Sequence, residues 1–146
     1  LYDAIIESSM DAGYYEALEG LKRVASTQND EEFFRHVAQS MIRWFETRPD
    51  LLRLKMFSAL EGHEMVSEFN ERTSRPFVDI IVGYIQRRVE EGAFVAMNPA
   101  AIALSFCGMI AHHCMVTILF KSPMIPIHTD MMVDHAVKIL LHGIKS

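Results

Sequence analysis

The sequence predicts an all-α domain of six to seven helices, on three observations. Apolar residues recur at i, i+3, i+4 and i+7 along nearly every segment, the spacing of a helix that buries one face. No run alternates apolar and polar residues over the length of a strand. Prolines fall where periodic stretches begin, as at Arg48-Pro49 and Asn98-Pro99, and proline suits the first position of a helix.

Tyr2, Ile5, Ile6, Met10, Tyr14, Leu18 and Leu21 form the first stripe, which runs to about Val24 with Gly13 and Gly20 as places to break or bend. Ser26-Thr27-Gln28-Asn29 is a linker. Asp30 is expected to cap the next helix, with Glu31 and Glu32 in the first turn, where the helix dipole favours negative charge. The apolar face there is Phe33, Phe34, Val37, Met41, Trp44 and Phe45. Leu51, Leu52, Leu54, Phe57 and Leu60 follow Pro49, and Gly62 ends that helix. The segment from Glu64 to Glu91 contains Pro76, which removes a backbone donor and should kink or restart the helix. Beyond it Phe77, Ile80, Ile81, Tyr84, Ile85 and Val89 keep helical spacing up to the Glu91-Gly92 stop. Asn98 caps a helix over Ala100–Phe120 that is apolar on almost every side. Lys121–Thr129, with two prolines, is a loop. Asp130 is expected to cap the last helix, carried by Met132, Val133, Ala136, Val137, Ile139, Leu140 and Ile144.

Composition narrows the function. The 146 residues suit one domain, and 50% of them are apolar, enough for a sizeable core. A net charge of −5 argues against this chain holding nucleic acid by itself. Cys107 and Cys114, about 10 Å apart along one helix, cannot bridge each other and read as reduced intracellular thiols. No signal peptide is visible, and a cytoplasmic protein is expected. The chain starts inside a periodic segment without methionine, which predicts that further sequence precedes it. The Ala100–Phe120 helix reaches the roughly 20 residues that span a bilayer. But Ser105, His112, His113 and Thr117 interrupt it and no basic cluster flanks it, so a central soluble helix is expected and no membrane partner.

Seven histidines invite a metal reading, yet there is no C-x-x-C and no H-x-x-x-H pair. No G-x-S-x-G elbow or phosphate loop is present. No catalytic residue, metal ligand or cofactor is therefore expected. The competing reading is a small helical enzyme, or a metal- or haem-binding sensor using the His and Cys side chains of the 100–120 helix. The 10 methionines and 9 phenylalanines are the stronger signal. They are either ordinary core or the wall of an adaptable apolar cavity, since thioethers repack round irregular ligands. The last two helices also carry more apolar surface than one chain can cover. The final one repeats at near-heptad spacing, which suits a pairing seam in a symmetric dimer.

Several local patterns together resemble the C-terminal regulatory domain of TetR-family transcriptional repressors. Leu1-Tyr2-Asp3-Ala4-Ile5-Ile6-Glu7 is similar to the helix that follows the family's DNA-recognition helix. Thr47-Arg48-Pro49-Asp50-Leu51-Leu52-Arg53-Leu54 resembles the junction between the family's fifth and sixth helices. Asn98-Pro99-Ala100-Ala101 with Phe106-x-Gly108-Met109 is similar to the start of the eighth, though Asp is more usual than Asn98. Val137-x-x-Leu140-Leu141-x-Gly143-Ile144 resembles the terminal helix.

The resemblance implies that residues 1–146 form one regulatory, ligand-binding and dimerisation domain, with 1–24 connecting to a DNA-binding domain upstream. It implies a homodimer through a four-helix interface of the last two helices. A small hydrophobic effector would bind among the middle helices, displace the first helix and respace the DNA-binding heads, releasing operator DNA, which only that upstream domain would touch. Mapped onto this sequence, the pocket wall would be Trp44, Phe45, Met56, Phe57, Leu60, Phe77, Ile81, Tyr84, Phe106, Met109 and His113, with His63, Tyr84 and His113 as polar anchors. Dry core is the competing assignment for each. Met115, Ile118, Val137, Lys138, Leu141 and His142 would face the partner.

Overall fold

A computed structural model describes residues 2–146; Leu1 of the opening pattern lies outside them. The helices are α1 (Tyr2–Ser9), α2 (Ala12–Ala25), α3 (Asp30–Thr47), α4 (Pro49–Leu60), α5 (Met65–Phe69), α6 (Arg75–Glu90), α7 (Pro99–Cys114) and α8 (Thr129–Ile144). Wide π-turns, Asn70–Ser74 and Met115–Leu119, join α5 to α6 and extend α7. The all-α expectation holds. Among the described residues the one strand-like pairing is a single bridge between Phe94 and Lys145, which ties the turn after α6 to the end of α8.

Local chemistry corrects several expected boundaries. The first stripe breaks at Met10-Asp11, where the Asp11 carboxylate caps α2 by accepting from the Tyr14 amide. Gly20 stays inside α2: a Cβ there would lie 3.3 Å from Nε2 of His36, so glycine permits the close approach of α3. Asn29, not Asp30, caps α3, accepting from the Glu32 amide. His128, not Asp130, caps α8 through its ring nitrogen. Pro76 acts as expected. It has no N–H for the carbonyl one turn back, and the helix widens into the π-turn just before it.

Asp30, free of capping, is buried between α3 and α6. Its two oxygens accept from Nε and Nη2 of Arg88 at 2.9 and 3.1 Å, and Oδ1 also accepts from the Tyr84 hydroxyl. Around this knot the core is aromatic. Phe34 meets Phe33 and Phe106 edge-on at 5.2 Å each, and Tyr84 stacks on Phe33 at 3.8 Å. Such pairs add roughly 0.5–1.5 kcal/mol beyond the area they bury.

Helix α7 is two-faced, whereas the sequence suggested burial on all sides. Ile102, Ala103, Phe106, Ile110, His113 and Cys114 enter the core, while Leu104, Ser105, Gly108 and His112 face outward. Pro99–Leu119 is long and apolar enough to cross a bilayer, with a mean hydropathy of 1.8. Here its inner face packs on α3, α6 and α8.

Two histidines make stability depend on pH. Burial holds the imidazoles of His36 and His113 below the ordinary histidine pKa, because it disfavours the charged ring. Well above a pH of about 6.5 both folded and unfolded forms are neutral and this contribution is fully present. As pH falls through that value the unfolded chain takes up protons that the fold resists, so stability drops. Urea midpoints are therefore expected to fall between about pH 7.5 and pH 5, and the paired change of His36→Gln and His113→Gln should flatten the slope. A midpoint that rises with acid would refute this.

Candidate ligand-binding cavity

A cavity of about 570 Å3 lies among α2, α3, the α5–α6 segment, α4 and α7. Its size falls in the range of small-molecule sites, roughly 300–1,000 Å3. Helix α2 contributes Tyr14, Ala17 and Leu21, one face of the first stripe. Helix α3 contributes Val37, Met41, Trp44 and Phe45. The turn forced by Pro76 supplies Asn70, Glu71, Thr73 and Ser74, followed by Phe77 and Ile81 from α6. A π-turn bulges one residue outward, which is how a single helix offers so many polar groups to one cavity.

The aromatic corner is built on Tyr14. Its ring meets Trp44 at 5.7 Å and Phe77 at 5.3 Å, both edge-on, and its hydroxyl donates to the Thr73 carbonyl at 2.9 Å. Burial pushes the Tyr14 phenol above its ordinary pKa, so it remains a donor. Outside the corner, Arg48 lies 4.0 Å over the Trp44 ring and donates to Asp11 at 2.7 Å. Cys107 is in the wall, and burial pushes its thiol up to about 11, so it stays protonated at neutral pH.

The structure brings four of the expected wall residues to the cavity: Trp44, Phe45, Phe77 and Ile81. The others lie elsewhere. Phe106 is in the dry core at 0% exposure, and half-buried Met109 packs against that core. On α7 the wall is instead Leu104, Cys107, Gly108 and Ala111, a face rotated about 100° per residue from Phe106. Tyr84 belongs to the Asp30 knot, and buried His113 meets the Thr129 hydroxyl at 3.1 Å. Phe57 and Leu60 are exposed, at 60% and 83%, and Met56 is half-buried outside the wall. His63 is exposed beside Tyr2. The residue that α4 does supply is Lys55, which apolar periodicity could not single out.

Further uncovered apolar side chains lie in the C-terminal third of the chain. Eight of the eleven large apolar side chains left exposed fall between Met97 and Ile139: five are in the segments before and after α7, Leu104 borders the cavity, and Met131 and Ile139 are on α8. Val137 and Leu141, expected to face a partner, are inside this chain's own core at 0% and 6% exposure. Lys138 and His142 are on the outer face, with Lys138 paired to Asp134 at 2.9 Å. Met115 and Ile118 are half-buried in the second π-turn.

For the competing chemistry, no three His, Cys, Asp or Glu side chains among the described residues come together to hold a metal ion. Burial raises the Cys114 thiol to about 11.

The structure is thus an all-α domain with a largely apolar cavity among its middle helices. Residues 31–143 match the family described as AefR-like transcriptional repressor, C-terminal domain, and the chain belongs to that family. No curated protein matches the chain.

Proposed function

We infer that this domain is the effector-sensing and dimerisation part of a cytoplasmic repressor, and that a small, largely apolar molecule in the cavity releases operator DNA. The cavity carries this reading, because its wall reaches the helices that lead toward the start of the chain. Tyr14, Ala17 and Leu21 of α2 touch the cavity directly. Arg72, within the cavity's π-turn, ties back to α1 through Asp3 at 3.1 Å and Glu7 at 3.6 Å. Surface pairs of this kind contribute little stability, on the order of 0–1 kcal/mol. A ligand that pushes the turn or α2 therefore meets small resistance from them. DNA-binding heads attached ahead of α1 would follow its movement, and two such heads must sit about 34 Å apart to read successive turns of DNA. The effector acts only through its different affinity for the two arrangements.

The test is a thermal melt against a panel of apolar compounds. A ligand at a hundred times its Kd adds about 2.7 kcal/mol, or a rise of about 5–11 °C for a domain of this size. A panel of drugs, dyes and acyl compounds that never moves the midpoint would sink the pocket.

A further inference from the structure

We propose that the cavity takes an amphipathic anion, a carboxylate on an apolar tail, whose charged end pairs with the ammonium of Lys55. The proposal rests on the cavity being an effector site and names the class of effector. Its basis is an imbalance in the wall. Most of the lining is apolar, yet Lys55 reaches in from α4, its Nζ 4.8 Å from the centre of the Phe69 ring, itself a wall residue. Among the described residues Lys55 has no carboxylate within 4.0 Å. The acid in the wall, Glu71, is engaged elsewhere, 3.5 Å from Arg75. Arg75, the other cation in the wall, is held by Asp79 at 2.8 Å. Lys55 is thus a half-buried charge facing an apolar space without a counterion, in a chain whose net charge is −5.

A lysine in that position carries a cost that an anion would remove. Burial holds its pKa below the ordinary lysine value, and no opposite charge offsets the loss of water. The Phe69 face is a weak substitute for a counterion. Thr73 belongs to the same wall, is 3% exposed, and its hydroxyl has no partner among the described residues. A carboxylate has two oxygens and up to four acceptor positions, so it can accept from the ammonium and still take further donors. An alcohol or amide of the same tail offers neither charge nor as many acceptors. The apolar wall of Leu21, Met41, Trp44 and Phe77 would then hold the tail.

The experiment compares decanoate with 1-decanol as displacers of Nile red, an uncharged dye that reports an occupied apolar cavity. Decanoate is expected to displace the dye at concentrations at least about tenfold lower, one charge-assisted contact's worth of discrimination. Lys55→Met keeps the stem on Phe69 and should erase the preference while leaving dye binding in place. Lys55→Arg should keep it. Equal potency of the two displacers in the unmodified protein overturns the proposal even where a variant fails to fold, and so does a preference that survives Lys55→Met. A protein that binds no Nile red and shows no melting shift with either compound defeats the pocket reading itself, and the proposal with it. Dye binding without discrimination defeats the anion alone.

Discussion

Asp30→Ala is expected to lower the unfolding free energy by about 3–5 kcal/mol, which is most of the stability of many domains. The side chain does three jobs from a site only 7% exposed. It faces the fork of Arg88 with both oxygens, it accepts from Tyr84, and it closes α3 against α6. Alanine would leave the guanidinium, 13% exposed, with Glu91 alone at 2.6 Å, and the buried phenol with no acceptor. The loss comes mainly from charge and donor left stranded, because the pair's own net contribution is small once desolvation is counted. Two companions separate these terms. Asp30→Asn keeps the shape and one acceptor, and should cost less. Asp30→Leu combined with Arg88→Met removes both charges and should recover much of the loss. Urea titration of all three checks the ordering, and a loss below about 1 kcal/mol for the alanine variant would show the pair behaving like an exposed one.

The Asp30 knot also shows where sequence reasoning stops. An aspartate one residue before two glutamates reads as a cap, and only the arrival of Arg88 from 58 positions away gives it another partner. Helices and their order were legible because apolar spacing is a local property of the chain. So were the stops at Gly92 and the restart at Pro76. The cavity was half legible. Tyr14 and Leu21 stand in the first stripe, and Trp44, Phe45, Phe77 and Ile81 stand in theirs, but periodicity cannot say which side of a stripe meets a void. That depends on the rotation of each helix about its axis, set by packing. On α7 a turn of one to two residues separates the wall at Cys107 and Gly108 from the core at Phe106. Helix α4 is the plainest case. Its apolar residues are spread round the axis, Phe57 and Leu60 point to water, and a lysine is its contribution to the cavity. Polar wall residues carry no periodic signal, and Pro76 was the sole hint that its neighbourhood would depart from a regular helix.

Ile139→Glu is expected to turn the proposed dimer into a monomer. The reason is symmetry combined with desolvation. Ile139 lies 65% exposed on the outer face of α8, the helix that also leaves Met131 exposed. In a twofold dimer each substituted position occurs twice. An unpaired carboxylate buried at each one costs about 3–5 kcal/mol, so the pair together would cancel most or all of a micromolar association of about 8 kcal/mol. Lys138 is already paired with Asp134 and offers the new carboxylate little relief. Leu60→Glu is the control. Leu60 is more exposed still, at 83%, but it ends α4 on the far side of the sequence from the proposed seam, and its replacement should leave the mass unchanged. Light scattering at micromolar concentration reads both variants. A dimer that survives Ile139→Glu, or an unmodified protein that is already monomeric, would remove α8 from the interface. With the dimer intact, a displacement of α1 becomes a change in the distance between two heads. With it lost, the same displacement has nothing to be measured against, so Ile139→Glu should also abolish operator binding by a chain that carries the heads while leaving the effector-induced melting shift in place.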